Sequence, residues 1–260
     1  MHPLAEFAAL WAIVYAAHLA VYFGVGGFLI WINRFYPDRR IPAMSGRDRR
    51  ARMSAAAEIK QSLKTLVGTA FCTAGALYMQ HLGWTLAPLE LTPISAAWTF
   101  VATLILHDAW LYFEHRLMHT KPFYRRFHLR HHRAVAPTVW TNDAFSVTDA
   151  FLIQSFFLLL PFVIPIPPLV LIGCRTFDQI KGMVGHSGYE HFAGRWARAP
   201  SPLIATIHHD LHHQHFNVNF GNQLSIWDRI CGTLDPDYDR LVKEMEEGRP
   251  PVRLAERKTA

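Results

Sequence analysis

The 260-residue chain carries 26 Lys or Arg against 20 Asp or Glu, together with 16 His. Half of it is apolar (51%), 13% is aromatic and 18% is charged, whereas an average globular protein has about 25% charged residues. That composition excludes a disordered tail protein. The three widely spaced cysteines, Cys72, Cys174 and Cys231, exclude a disulfide framework or a Cys-rich zinc ribbon and fit either a reducing compartment or indifference to redox.

The first element is a long apolar helix. Phe7 to Ile32 contains no Lys, Arg, Asp or Glu, and about 20 helical residues suffice to cross a bilayer. A cleaved signal peptide is the competing reading, but no basic segment precedes the stretch and no small-residue cleavage site closes it. A second span is expected over Leu63–Trp84 and a third over Ile94–Phe113. Between the first two, residues 33–64 hold Arg34, Arg39, Arg40, Arg47, Arg49, Arg50, Arg52, Lys60 and Lys64, whereas Gly83 to Pro93 has no Lys or Arg. The asymmetry places 33–64 in the cytoplasm and the N-terminus outside. Beside three apolar spans, a nucleic-acid role for the basic run is disfavoured.

The chain returns to the cytoplasm near Glu114. Ala144 to about Met183 is apolar but contains Pro161, Pro165, Pro167 and Pro168. Proline interrupts helices, so this stretch reads as two helices joined near Ile164–Pro168, a hairpin that returns the chain to the side it left. Arg175, Asp178 and Lys181 in the second arm are costly in lipid and should pack against protein or lie shallow. The expected fold is all-α, a membrane bundle of three spans plus the Pro-broken hairpin under a cytosolic His-rich helical cap. It divides into N-terminal spans with the basic loop (1–94), a core (95–234) and a charged cytosolic tail (235–260).

The histidines fall into four clusters: His115 and His119; His128, His131 and His132; His186 and His191; and His208, His209, His212, His213 and His215. Residues i and i+4 share a helix face, so His115 and His119 can meet one metal. In the two H-x-x-H-H triplets, His128/His131/His132 and His209/His212/His213, the spacing predicts that the first residue pairs with the fourth. The fifth, turned about 100° away, then reaches a neighbouring site. Nine or more imidazoles exceed any mononuclear centre and fit two metals. No H-E-x-x-H is present, which disfavours a zincin protease. Isolated His2, His18 and His81 read as surface or packing residues. His107 lies about 12 Å from His115 along a continuous helix. With Asp108 it is expected to line a substrate channel or to orient ligand imidazoles. A membrane haem protein or a metal carrier is the alternative of another class, although the doubled triplet is wasteful for haem and the clusters flank the spans.

The run His107-Asp-Ala-Trp-Leu-Tyr-Phe-Glu-His115-Arg-Leu-Met-His119, followed by His128-Leu-Arg-His131-His132, resembles the fatty acid hydroxylase/sterol desaturase superfamily. His186-Ser-Gly-Tyr189, His209-Asp-Leu-His212-His213, Asn219-Phe-Gly221, Ile226-Trp-Asp228-Arg and Gly232-Thr233 agree in order. The resemblance covers about 100 to 235. It implies an integral membrane, non-haem di-iron enzyme that uses O2 and two electrons to hydroxylate, or alternatively desaturate, a lipid. By position it implies His115, His119, His128, His131, His132, His209, His212 and His213 as iron ligands, His186 as a ninth, and His191 as a further candidate. Asn219 and Asp228 would support the site. The sequence shows no segment for a fused haem domain, so electrons are expected from a separate donor of ferredoxin or cytochrome b5 type. Such a donor would be received by the basic loop or by Arg125, Arg126, Arg130 and Arg133. The implied location is a bacterial inner membrane or the endoplasmic reticulum, with the site facing the cytoplasm.

Overall fold

The structure is a computed structural model that describes residues 2–41, 54–134 and 136–249. These residues contain no strand, only two isolated bridges, Arg40 to Tyr189 and Leu203 to Leu224, as the all-α reading expects. The middle of the basic loop, with Arg47, Arg49, Arg50 and Arg52, and the end of the tail lie outside the described residues.

Three long helices come first: α1 (Pro3–Asn33), α2 (Ala55–His81) and α3 (Pro93–Met118). Their starts follow capping chemistry. Ser54 accepts the Ala57 N–H at 3.3 Å ahead of α2, and Thr92 and Ser95 satisfy one another's backbone N–H groups ahead of α3. Short α4 (Lys121–Phe123), a π-helical turn (Tyr124–His128) and α5 (Leu129–His132) follow. The apolar stretch then breaks where its prolines sit. The helix α6 (Val147–Leu159) ends in a 3-10 turn at Leu160–Phe162, and α7 (Pro168–Gly185) begins beyond Pro165 and Pro167, residues that fix φ and offer no N–H. The chain closes with α8 (Thr206–His215), α9 (Ile226–Ile230) and α10 (Tyr238–Glu246).

Two described helices, α1 and α3, are long and apolar enough to cross a membrane. Along α3, Ile94, Trp98, Val101 and Ile105 form an exposed apolar stripe at helical spacing. The helix α2, where the sequence places a further span, falls short of that mark because much of its buried face is polar. It lies against α1 and α6 and hydrogen-bonds the loop at 138–145. Gln61 Nε2 donates to Phe145 O at 2.6 Å, Ser62 Oγ to Trp140 O at 3.2 Å, and Thr65 Oγ1 to Asp143 O. Glu58 accepts from Thr138 Oγ1 (2.7 Å) and Thr141 Oγ1 (3.0 Å). A buried loop leaves backbone groups to satisfy, and α2 satisfies them. Gly26 of α1 completes this wall, since a Cβ there would lie 2.4 Å from the Trp140 ring.

The core is divided among several apolar clusters. Ala76 of α2 meets Phe157 of α6 and Leu171 of α7, while Tyr22 of α1, Leu66 of α2 and Met183 of α7 form a second group. A third holds α8 in place: Ile207 and Leu211 pack on Leu241 and Val242 of α10. Tyr238, fully buried, accepts the Ala205 N–H at 2.9 Å and donates to Ala197 O at 2.6 Å. The charged tail therefore begins with a helix that packs against α8.

Candidate metal centre

The last turn of α3 carries His115, and His119 is its C-cap residue. The π-turn and α5 bring His128, His131 and His132 beneath them, α7 ends on His186, and α8 supplies His209, His212 and His213. Nine of the ten expected histidines converge in two groups. His115, His119, His128, His132 and His212 form one, and His131, His186, His209 and His213 the other, with ligand atoms within 4.8 Å of one another in each.

The triplet spacing needs correcting. The structure pairs the first histidine with the fifth rather than the fourth: His128 joins His132, and His209 joins His213, whereas His131 and His212 each cross to the other group. Four residues advance a helix about 40° past a full turn, while three fall about 60° short. The fifth position therefore lies closer to the face of the first. As a result α5 and α8 each contribute to both groups.

The nitrogens fit metal ions. His119 Nε2 and His212 Nε2 lie 3.0 and 3.1 Å from His132 Nε2. His186 Nε2 lies 3.3 Å from His131 Nε2 and 2.9 Å from His209 Nε2, which is 3.1 Å from His213 Nε2. Nitrogens bound at about 2.0–2.1 Å to one ion stand about 3 Å apart. In four rings the other nitrogen is committed as a donor. His115 Nδ1 donates to Phe220 O (3.0 Å), His212 Nδ1 to Val218 O (2.7 Å), His186 Nδ1 to Gly182 O (2.8 Å), and His128 Nδ1 to Asp149 Oδ2 (2.8 Å). That leaves a bare lone pair on each Nε2. His115 Nε2 and His128 Nε2 are buried and have no hydrogen-bond partner, the signature of atoms shaped for something other than protein.

Electrostatics point the same way. Burial, reinforced by the neighbouring imidazoles, holds His131, His132, His209 and His213 well below the ordinary histidine range, and burial brings His186 down to about 4. Burial thus favours the neutral form of these five rings, the form that ligates metal.

A surrounding layer fixes these rings. Asp228 is fully buried and accepts from Phe220 N–H (2.9 Å), Gly221 N–H (2.8 Å), Thr233 Oγ1 (2.8 Å) and His208 Nε2 (3.1 Å). It thereby sets the Phe220 carbonyl that receives His115. Burial pushes its carboxyl up, but the bonds from His208, Gly221 and Thr233 outweigh that and hold it below the ordinary range. Asn219, at φ +57°, donates to His208 O (2.9 Å) and accepts Asp235 N–H (2.7 Å), tying α8 to the same turn. Gly221 is required there, because a Cβ would meet Leu224 O at 2.5 Å.

Three sequence expectations land elsewhere. Gly188, at φ +71°, turns the chain onto the segment before α2, where Glu190 N–H bonds Arg39 O (2.8 Å). His191 therefore ends beside α1, its Nε2 2.7 Å from Asn33 Oδ1, and is not part of either group. His107 is clasped between the rings of Phe156 and Phe157 (centroids 4.8 and 4.7 Å), with Nδ1 3.6 Å from Asp178 and 3.4 Å from Gln223 Nε2. Asp108 accepts the Gln223 and Leu224 N–H groups at 2.9 and 3.0 Å. Both residues anchor the 223–224 segment, and the ligand rings are oriented by other residues.

Sequence reasoning missed the carboxylate that does touch a ligand ring. Asp149 is the only acid in the first turn of an apolar helix, where it reads as a helix-start residue. Its complete burial is the informative feature. Phe145, whose ring stacks on His131 at 4.2 Å, and Glu190, which accepts the Ile207 N–H at the start of α8 (2.8 Å), were equally silent.

Known proteins resemble the chain over the region that carries both groups. The fatty acid hydroxylase family model matches residues 100–233. The chain is 28% identical over 193 residues to a probable Delta(7)-sterol 5(6)-desaturase of Neurospora crassa, covering 72% of this chain and 54% of that protein. Human lathosterol oxidase is 29% identical over 159 residues (58% and 52%), and human cholesterol 25-hydroxylase 31% over 133 residues (50% and 49%). The chain thus spans about half the length of these curated relatives. No solved structure gives a significant match. With the matched region covering every histidine of both groups, the chain belongs to the fatty acid hydroxylase family, within the fatty acid hydroxylase/sterol desaturase superfamily.

Proposed function

We propose that the protein is a membrane di-iron oxygenase that hydroxylates a C–H bond of a lipid, with electrons from a separate donor. The observation that carries this reading is the pair of all-nitrogen groups, five and four imidazoles, gathered around two points. Two iron ions held there would supply the oxidising chemistry, one O2, two electrons and two protons being consumed for each alcohol and water formed. The chain's own residues do the rest. Asp149 and the carbonyls of Gly182, Val218 and Phe220 hold four rings with Nε2 bare. Phe145 and Phe220 pack against rings of the cluster and keep water from it.

Desaturation is the sister outcome, and the names of the Neurospora and human sterol relatives favour keeping it beside hydroxylation. They also make a sterol-like lipid the leading substrate class. A haem or metal-carrier role is less well supported, because nine nitrogens in two tight groups exceed what haem ligation needs. Arg125, Arg126, Arg130 and Arg133 are exposed on the segment that carries His128, His131 and His132, and a patch of that sign suits an acidic electron donor. In this reading α1, α2 and α3 traverse the bilayer and the histidines face the cytoplasm. Reporters fused after Gly83 should then read outside, and those after Arg133 and Gly232 inside.

The test is a lipidome comparison of cells with and without the gene, beside a metal assay on the detergent-purified protein. A lipid gaining one oxygen is expected. A lipid losing two hydrogens would move the reading to desaturation, and a bound haem with a sharp Soret band would overturn it.

A further inference from the structure

At the C-terminal end of α1 a cavity of about 460 Å³ opens between that helix, the 136–140 loop, the 187–189 turn and α8. Ligand sites span roughly 300–1,000 Å³, so the space is of ligand size. None of the nine gathered histidines lines it. A molecule held here would sit apart from the metal centre.

The floor and the mouth of this cavity differ in chemistry. The floor is buried and rich in acceptors. Asn33 and Asp210 line it at 5% and 6% exposure. Gln214, one turn beyond Asp210 on α8, lines it as well. Gln214 Nε2 donates to Asp210 Oδ2, which leaves Gln214 Oε1 as a buried acceptor with no hydrogen-bond partner. Such an atom is costly unless a donor completes it. The mouth is basic. Arg34 and Arg40 line it and are exposed, and among the described residues no carboxylate pairs with either. The guanidinium fork matches a phosphate group.

The surroundings say where a ligand would come from. The helix α1 is long and apolar enough to cross a membrane. Near its end Trp31, Phe35 and Tyr36 are 52%, 63% and 47% exposed, and aromatic rings at a helix end mark the level of lipid headgroups. Ile30 lines the cavity and is itself exposed, which continues the apolar surface of α1 up to the mouth. From the floor outward the sequence of groups is therefore acceptors, arginines, apolar surface. A matching ligand carries a cationic donor at its tip, a phosphate behind it and alkyl chains behind that. A primary ammonium has three N–H donors and can serve Gln214 Oε1 and Asp210 together. A trimethylammonium has no N–H, and a glycerol head has no positive charge.

We propose that this cavity binds the head of an aminophospholipid of the ethanolamine type, taken from the leaflet in which α1 ends. The ammonium sits on Asp210 and Gln214, the phosphate at Arg34 and Arg40, and the chains leave past Ile30. Occupied, the site ties the end of α1 to α8, the helix that carries His209, His212 and His213. Binding here needs no turnover and stands apart from the oxygenase reading.

The experiment is native mass spectrometry of the delipidated full-length protein in detergent, titrated with dioleoyl phosphatidylethanolamine, phosphatidylcholine and phosphatidylglycerol. The ethanolamine lipid is expected to bind several-fold more tightly than either of the others. Gln214→Leu, similar in size, should bring it down to the level of the choline lipid. The double variant Arg34→Gln with Arg40→Gln alters only exposed positions, so the fold should survive, and binding of all three lipids should fall several-fold. Equal binding of the three lipids by the unaltered protein would overturn the proposal. So would full binding in the double arginine variant, or an undiminished ethanolamine preference in Gln214→Leu. Soluble glycerophosphoethanolamine tests the source of the head. It should displace the lipid only weakly, and displacement at the lipid's own concentration would overturn the assignment to a bilayer lipid.

Discussion

Replacing His131 with alanine is expected to remove one metal ion per chain and abolish turnover, and His212→Ala should do the same through the other group. His131 belongs to the four-histidine group and His212 to the five-histidine group, so each variant weakens one site and leaves the other's nitrogens in place. Loss of a partner behind a ligand costs roughly 10–100-fold in metal affinity or activity, and loss of the ligand itself should exceed that. The fold should survive, because the packing of α8 rests on Ile207, Leu211 and α10 rather than on the histidines. Metal per chain by elemental analysis, with turnover in the same membranes, reads the result. His191→Ala is the matched control. Its ring bonds Asn33 rather than either group, so metal content and turnover should match the unaltered protein. Full metal content in His131→Ala and His212→Ala would refute the ligand assignment.

Asp149→Asn is expected to lower metal affinity about 10–100-fold with little loss of stability. Asp149 Oδ2 accepts from His128 Nδ1 at 2.8 Å and so keeps the proton off Nε2. The amide is close in size but a weaker acceptor. When its NH2 faces the ring, it favours the tautomer that carries the proton on Nε2, where the metal would bind. The helix start is untouched, since the Ser146 cap uses the backbone N–H of residue 149. Competition with a chelator, followed by turnover at saturating metal, separates weaker binding from a direct effect on the reaction. Unchanged affinity in Asp149→Asn would show that the carboxylate merely fills space.

The difference between His131 and Asp149 marks where sequence reasoning ends. A metal ligand in a helical H-x-x-H-H run is visible because its neighbours in the chain are also ligands, and local spacing alone brings them near. The residue behind the ligand has no such neighbours. Asp149 stands 21 positions from His128, and nothing local separates it from an ordinary helix-start acid. The same holds for the polar row on α2. Glu58, Gln61 and Ser62 precede the expected span and Thr65 lies at its start, and only the fold shows that they face the 138–145 loop and, through it, His131. His191 errs in the opposite direction. It sits in a histidine-bearing run, but a left-handed turn at Gly188 carries it away.

The sequence by itself determined the helical class, the proline break between α6 and α7, and ten candidate histidines, nine of which the fold gathers into two groups that could each hold a metal ion. These properties follow from periodicity, from the missing proline N–H and from the count of imidazoles, all of which are local or additive. Within each triplet the first and fifth histidines face within about 40° of one another by local helix geometry, but the tertiary structure alone decided that His131 and His212 each join the other triplet's group, because that requires α3, α5, α7 and α8 to be brought together. It also decided that His107 and Asp108 brace a loop while Asp149 and Asp228 set the ligand rings, directly or through a carbonyl. Contacts of that kind join residues up to 116 positions apart, as in the bond from Leu224 to Asp108, and the order of residues in the chain does not encode them.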